Sequence, residues 1–126
     1  MRVAVAIVNY RTPQMVLACL DSLNRERAAL PSLHAVVVDN ASGDDSVAIL
    51  SAKLGEKPFS GWVQFLPLPL NGGFGWGNNE AILTLLASEA PPEAILLINP
   101  DAMIEPGGLV ALVEDMRRRP DAGAIG

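Results

Sequence analysis

Apolar residues fall into two alternating patterns along the chain. One is short runs rich in Val and Ile; the other is longer stretches where apolar positions recur every three or four residues. The runs Val3–Val8, Ala35–Val38 and Ala94–Ile98 are continuous, as strands buried on both faces read. Trp62–Leu66 reads as a further strand, closed by Pro67 and Pro69. From Thr12 to Ala29 the spacing of Val16, Leu17, Leu20 and Leu23 predicts a helix, with Thr12 and Pro13 suited to its N-cap and first turn. Helices are also predicted at Asp45–Leu54, Asn78–Ser88 and Pro106–Arg118, and Ala122–Ile125 reads as the start of a fifth strand.

Strands that alternate with helices in this way predict a mostly parallel α/β sheet with helices on both faces. Such sheets bind ligands beyond the carboxyl ends of their strands, near the point where strand order reverses. The polar clusters obey that geometry: Asn9-Tyr10 follows the first strand, Asp39-Asn40 the second, Asn71 with its glycines the third, and Asn99-Pro100-Asp101 the fourth. Four clusters that reach one edge can share one cleft. This convergence is the strongest functional signal among the residues themselves.

Composition narrows the picture. With 126 residues, half of them hydrophobic, the chain suits one compact domain. The net charge is −5 and the cations form no broad cluster, which argues against a nucleic-acid partner. The single cysteine, Cys19, and the single histidine, His34, exclude a disulfide framework and a cysteine- or histidine-based metal cluster. Cys19 lies on the apolar side of the first helix and reads as packing. Arg117, Arg118 and Arg119 read as a solvated helix end, where cations complement the dipole. No apolar run approaches the ~20 residues of a spanning helix. The N-terminal run stops at Asn9 with no small-residue cleavage site, so it reads as a strand rather than a signal peptide, and a cytoplasmic domain is expected. The sequence enters its fifth apolar run and stops, which reads as a piece of a longer protein.

Each motif has a chemical and a structural reading. Asp39 can accept hydrogen bonds from a base or ribose, or can serve as the turn residue of an Asp-Asn-x-Ser-Gly loop. Gly72–Gly77 can bring backbone close to a ligand or simply turn the chain. It is not a Walker A loop, because Asn78 and Asn79 stand where Lys and Ser/Thr are required. Nor is it a dinucleotide fingerprint, since it follows the third strand. Asp101 can hold Mg²⁺ or Mn²⁺ on a diphosphate, or can be a turn residue before the last helix.

Four segments together resemble the family 2 glycosyltransferases with the nucleotide-sugar-binding GT-A fold, particularly rhamnosyltransferase-like members. They are Val-Asn-Tyr-Arg at 8–11, Val-Val-Asp-Asn-Ala-Ser at 37–42, Asn-Gly-Gly-Phe-Gly-Trp-Gly-Asn-Asn at 71–79 and Leu-Ile-Asn-Pro-Asp-Ala at 97–102. The resemblance implies that residues 1–126 form the Rossmann-like, donor-binding part of such an enzyme. Tyr10 would lie against the nucleobase, with the backbone of Val8 and Asn9 alongside. Asp39 would hydrogen-bond the base, while Asn71, Gly72, Gly73 and Asn79 would line the cleft. Asp101 would be the last residue of the Asp-x-Asp motif and would coordinate a divalent metal, Mg or Mn. Asn99 stands where that motif has its first Asp and would meet the ribose.

The implied activity is sugar transfer from a nucleoside-diphosphate sugar to an acceptor hydroxyl on a glycan or lipid-linked acceptor, with inversion, in polysaccharide or cell-surface glycan synthesis. The family's catalytic base lies downstream of these motifs, so none is assigned and the chain alone is expected to be inactive. The setting would be the cytoplasm or the inner face of the membrane, with peripheral attachment of the full-length protein. A non-catalytic nucleotide-binding or scaffolding module of the same fold is the alternative. A dinucleotide-dependent oxidoreductase is disfavoured, because Asn9-Tyr10-Arg11 replaces the glycines expected after the first strand.

Overall fold

The computed structural model describes residues 1–126 as an alternating series of strands and helices. The elements are β1 (Val3–Asn9), α1 (Pro13–Glu26), β2 (His34–Asp39), α2 (Ser46–Leu54), β3 (Val63–Pro67), α3 (Phe74–Leu86), β4 (Ala94–Leu97) and α4 (Gly108–Arg118). All strand pairs are parallel, in the spatial order β3-β2-β1-β4. The first two crossovers move the chain one way across the sheet, and the third carries it back past β1. The reversal therefore lies between β1 and β4, as in Rossmann-like sheets. No helix is long and apolar enough to cross a membrane.

Side chains that alternate along β1 and β2 divide the core in two. Val3, Val5, Ile7, Ala35 and Val37 point to one face and pack against α1, α2 and α4. Ala4, Ala6, Val36 and Val38 point to the other face, where Ala81 and Leu85 of α3 cover them. The small alanines let α3 approach closely, and Gly77 continues that approach: a Cβ there would stand 3.1 Å from Cγ1 of Val8. Helices thus lie on both faces, in unequal numbers.

Two elements differ from the sequence expectation. First, α3 begins at Phe74 rather than Asn78, so most of the glycine-rich segment is helix. The turn itself is confined to Gly73, whose φ of 96° suits glycine. Gly75 and Gly77 sit on the helix, and of the two only Gly77 packs closely; a Cβ at Gly75 would meet nothing. Second, Ala122–Ile125 forms no strand. Gly123 and its alanine neighbours have weak strand preference, and Ile125 instead lines a small apolar cavity of about 70 Å³ with Met1, Leu96, Val113 and Met116. The outer edge of β4 is unpaired.

Cys19 is fully buried within the larger core. Burial, and secondarily the charge of Asp101, push its thiol from 9.0 up to about 11. The native thiol is expected to resist a disulfide reagent at pH 8 and to react promptly in denaturant, a contrast that a chromogenic time course reads directly. Between pH 9 and 11 the unfolded chain loses this proton while the native one holds it, so the thiol's contribution to stability falls as pH rises through that window.

Candidate functional site

Asn9 and Asp39 end β1 and β2 side by side in register. Asp39 is 1% exposed, and its carboxylate is engaged within the protein. Its Oδ1 accepts from Asn9 Nδ2 at 2.8 Å and from the Ser42 hydroxyl at 2.6 Å, while Oδ2 accepts from the Ser42 amide at 3.1 Å. The last contact is the turn chemistry of the Asp-Asn-x-Ser segment. Asn9 is equally occupied: its Oδ1 accepts from the backbone amide and hydroxyl of Thr12, at 3.1 and 3.2 Å. Thr12 stands at the N-cap of α1 but makes no side-chain cap; its hydroxyl turns back to Asn9 instead.

The neighbouring backbone is bent sharply. Arg11 and Ala41 have φ values of 59° and 55°, in a left-handed region that non-glycine residues adopt at a cost of about 1 kcal/mol or more. Asn40 is buried and its Nδ2 donates to the Gly73 carbonyl at 3.0 Å, joining the end of β2 to the turn before α3. Its Oδ1 is buried without a protein partner.

At the same edge lies an open cleft of about 320 Å³, lined by Val8, Tyr10, Thr12 and Met15 after β1, by Phe74 at the start of α3, and by Asn99, Pro100 and Asp101 after β4. It occupies the carboxyl end of the sheet where strand order reverses. Tyr10 is 45% exposed, and Asp101 is exposed and is the only acid in the lining.

Of the residues singled out by sequence, Val8, Tyr10, Asn99 and Asp101 are brought together in this cleft. Asn9 and Asp39 lie in the buried node at the same edge, outside the lining. Asn71, Gly72, Gly73 and Asn79 are exposed and also fall outside it. Asn71 accepts from the Gly73 amide at 2.9 Å and so shapes the turn. Met15 and Phe74 are lining residues that the sequence reading does not single out, and Thr12 is read there only as an N-cap; the signal available is that all three lie next to the polar motifs.

No group of three or more His, Cys, Asp or Glu side chains is placed to hold a metal ion. Asp101 with Asn99 nonetheless fits Mg²⁺ or Mn²⁺ of the kind that takes one or two protein ligands and completes its shell with phosphate and water.

The sequence profile of glycosyl transferase family 2 matches residues 4–126. No match was found among curated proteins. S. aureus TarS 1-349, solved in complex with UDP-GlcNAc, is similar in structure with a TM-score of 0.74 and 23% identity, over 95% of this chain and 32% of that one. The mannosyltransferase PcManGT from Pyrobaculum calidifontis, solved with GDP-Man and Mn²⁺, is similar at a TM-score of 0.74 and 22% identity, over 91% of this chain and 32% of that one. At these identities the likeness shows the fold, that of the GT-A glycosyltransferases. The chain spans about a third of the length of these structures.

Proposed function

The chain belongs to glycosyl transferase family 2, and from that premise we propose that its cleft is the donor site of an enzyme moving a sugar from a nucleoside-diphosphate sugar to an acceptor hydroxyl. The observation that carries this reading is one cleft lined by both an exposed aromatic ring, Tyr10, and an exposed carboxylate, Asp101. A nucleobase stacks on the ring, while the diphosphate extends toward Asp101. That two similar structures were solved with nucleotide sugars supports the same assignment.

The residues divide the work by position. Tyr10 offers its face to the base, and the buried Val8 lines the same cleft. Asn99 can donate to a ribose or phosphate oxygen. Asp101 and Asn99 would hold a divalent cation, which would supply positive charge to a diphosphate leaving group. Transfer with inversion needs a base to take the acceptor proton as the hydroxyl attacks the anomeric carbon. Asp101 is the only acid in the cleft lining; with that carboxylate given to the metal, this reading takes the base from outside residues 1–126. These residues alone then bind a nucleoside diphosphate and transfer no sugar. Polysaccharide or cell-surface glycan synthesis, in the cytoplasm or at the inner membrane face, is the setting we assign to the whole enzyme.

The test is calorimetric titration of UDP and GDP with and without Mn²⁺, on the natural chain and on Asp101→Asn. Mn²⁺ is expected to tighten binding to the natural chain about tenfold, a charge-assisted contact's worth, and to have no effect on the variant. Because Asp101 is exposed in a loop, the variant should unfold at the same urea concentration. Equal Mn²⁺ dependence in both proteins would remove Asp101 from the metal site. Nucleotide binding without transfer by the full-length protein, across a panel of nucleotide sugars, would instead favour a non-catalytic module.

A further inference from the structure

Arg11 stands apart from every other cation in the molecule. Of the nine Lys and Arg residues, Arg2 precedes β1, and all others except Arg11 lie at or just beyond the C-termini of α1, α2 and α4. In a parallel sheet those positions are at the end opposite the cleft. Arg11 is therefore the only positive side chain at the carboxyl edge. It is exposed, yet its placement is specified at three points. Its backbone amide donates to the Ser42 hydroxyl at 2.9 Å, its Nε–H donates to the Ser42 carbonyl at 2.9 Å, and its backbone is held at a φ of 59°. Its guanidinium lies 5.0 Å from the ring centroid of Tyr10. Asp44 feels its charge, since Arg11 is one of the smaller influences that lower that carboxyl's pKa after the hydrogen bonds of Ser46, but no ion pair forms.

We propose that Arg11 is the positioning residue for Tyr10, a cationic clamp that fixes the aromatic face on which the donor's nucleobase stacks. The inference rests on the donor-site reading and adds to it a residue that does not line the cleft. An exposed tyrosine beside an open cleft would otherwise have to be ordered by the ligand, at a cost in binding entropy. Tyr10 lines the cleft while Arg11, 5.0 Å from the ring centroid, stays outside the lining; in the clamp the ring gives one face to the guanidinium and the other to the ligand. The clamp is anchored in turn: the Ser42 hydroxyl that receives the Arg11 amide itself donates to Asp39. A chain of contacts from Asp39 through Ser42 and Arg11 thus sets the ring from the buried node. A strained backbone kept at such a point is what pre-organisation requires.

Tyr10 is the only tyrosine, so ring-labelled tyrosine gives a single magnetic-resonance reporter without any ligand. In Arg11→Ala the ring signal is expected to shift and to report faster motion. An unchanged signal would overturn the clamp, whatever the site binds. The second arm measures uridine, guanosine and their diphosphates by calorimetry. Arg11→Ala is expected to weaken a nucleoside and its diphosphate by the same factor, about two- to fivefold, the range of an exposed cation–π contact. Arg11→Lys, which keeps the charge but loses the Nε anchor, should fall between. On a Tyr10→Ala background, Arg11→Ala should cost nothing further. Loss confined to the diphosphate would make Arg11 a phosphate ligand and overturn the proposal, as would additive losses with Tyr10→Ala. If the natural protein binds none of the four probes while the ring responds to Arg11→Ala, the clamp stands and the donor-site reading falls.

Discussion

Glu26→Ala is expected to lower the unfolding free energy by about 3 kcal/mol, read as a shifted midpoint in urea at unchanged slope. Glu26 ends α1 and is 3% exposed. Its carboxylate accepts from the backbone amides of Gly107 at 2.7 Å, Leu109 at 3.1 Å and Val110 at 3.2 Å. These are the free donors at the start of α4, whose own N-cap, Gly107, has no side chain to satisfy them. A carboxylate there also meets the positive end of the helix dipole. Alanine removes the partner of three donors at once, and α4 then has no cap. Glu26→Gln keeps one acceptor oxygen and turns an amino group toward the others, so about half of the loss is expected. A midpoint for Glu26→Ala within about 0.5 kcal/mol of the natural chain, as for an ordinary surface substitution, would show that water caps α4 equally well. The consequence reaches the cleft. Ser22, one turn earlier in α1, accepts from the Ile104 amide at 3.0 Å, so α1 pins both the loop that carries Asp101 and the helix that follows it.

Nothing near Glu26 in the sequence announces this role, because its partners lie 81 to 84 residues away. Local pattern shows which residues prefer strand or helix and where the chain must turn. It does not show which distant side chain completes a helix end. The strands were legible because β1 and β2 are buried on both faces and consist almost wholly of Val, Ile and Ala. The glycines of 72–77 misled for a related reason. A glycine can mean a turn, as at Gly73, or a close approach, as at Gly77 against Val8, and only the packed structure distinguishes them. Ala122–Ile125 is apolar, but three of its four residues are Ala or Gly, and it makes no ladder with the open edge of β4. Tyr10 and Asp101 were legible because a parallel sheet places every strand end on one edge, and that followed from element order alone. Asp39 was legible as important and ambiguous as to why.

Exchanging the two side chains at positions 9 and 39 separates the reasons. Asp39→Asn alone is expected to cost about 2 kcal/mol, because an amide has one acceptor oxygen where the carboxylate offers two, and its amino group must then face a donor of Asn9 or Ser42. Adding Asn9→Asp should recover more than half of that loss. Asp at 9 keeps one oxygen for the amide and hydroxyl of Thr12, as Asn9 does now. Its second oxygen accepts from the new amide at 39, whose own oxygen still takes the Ser42 amide. The Ser42 hydroxyl, which now donates to Asp39, turns to the acid at 9, where Asn9 Nδ2 now lies 3.4 Å from it, and the network is satisfied with its polarity reversed at the same net charge. Nucleotide affinity decides the rest. If the carboxylate of Asp39 meets the nucleobase through Oδ2, which has a single protein partner, the exchanged protein should regain its stability and stay weak toward UDP and GDP, by about tenfold for a lost charge-assisted hydrogen bond. Recovery of both quantities together would mean that Asp39 acts only by holding Ser42, and through it Arg11 and the ring of Tyr10. The base contact would then have to come from the walls of the cleft.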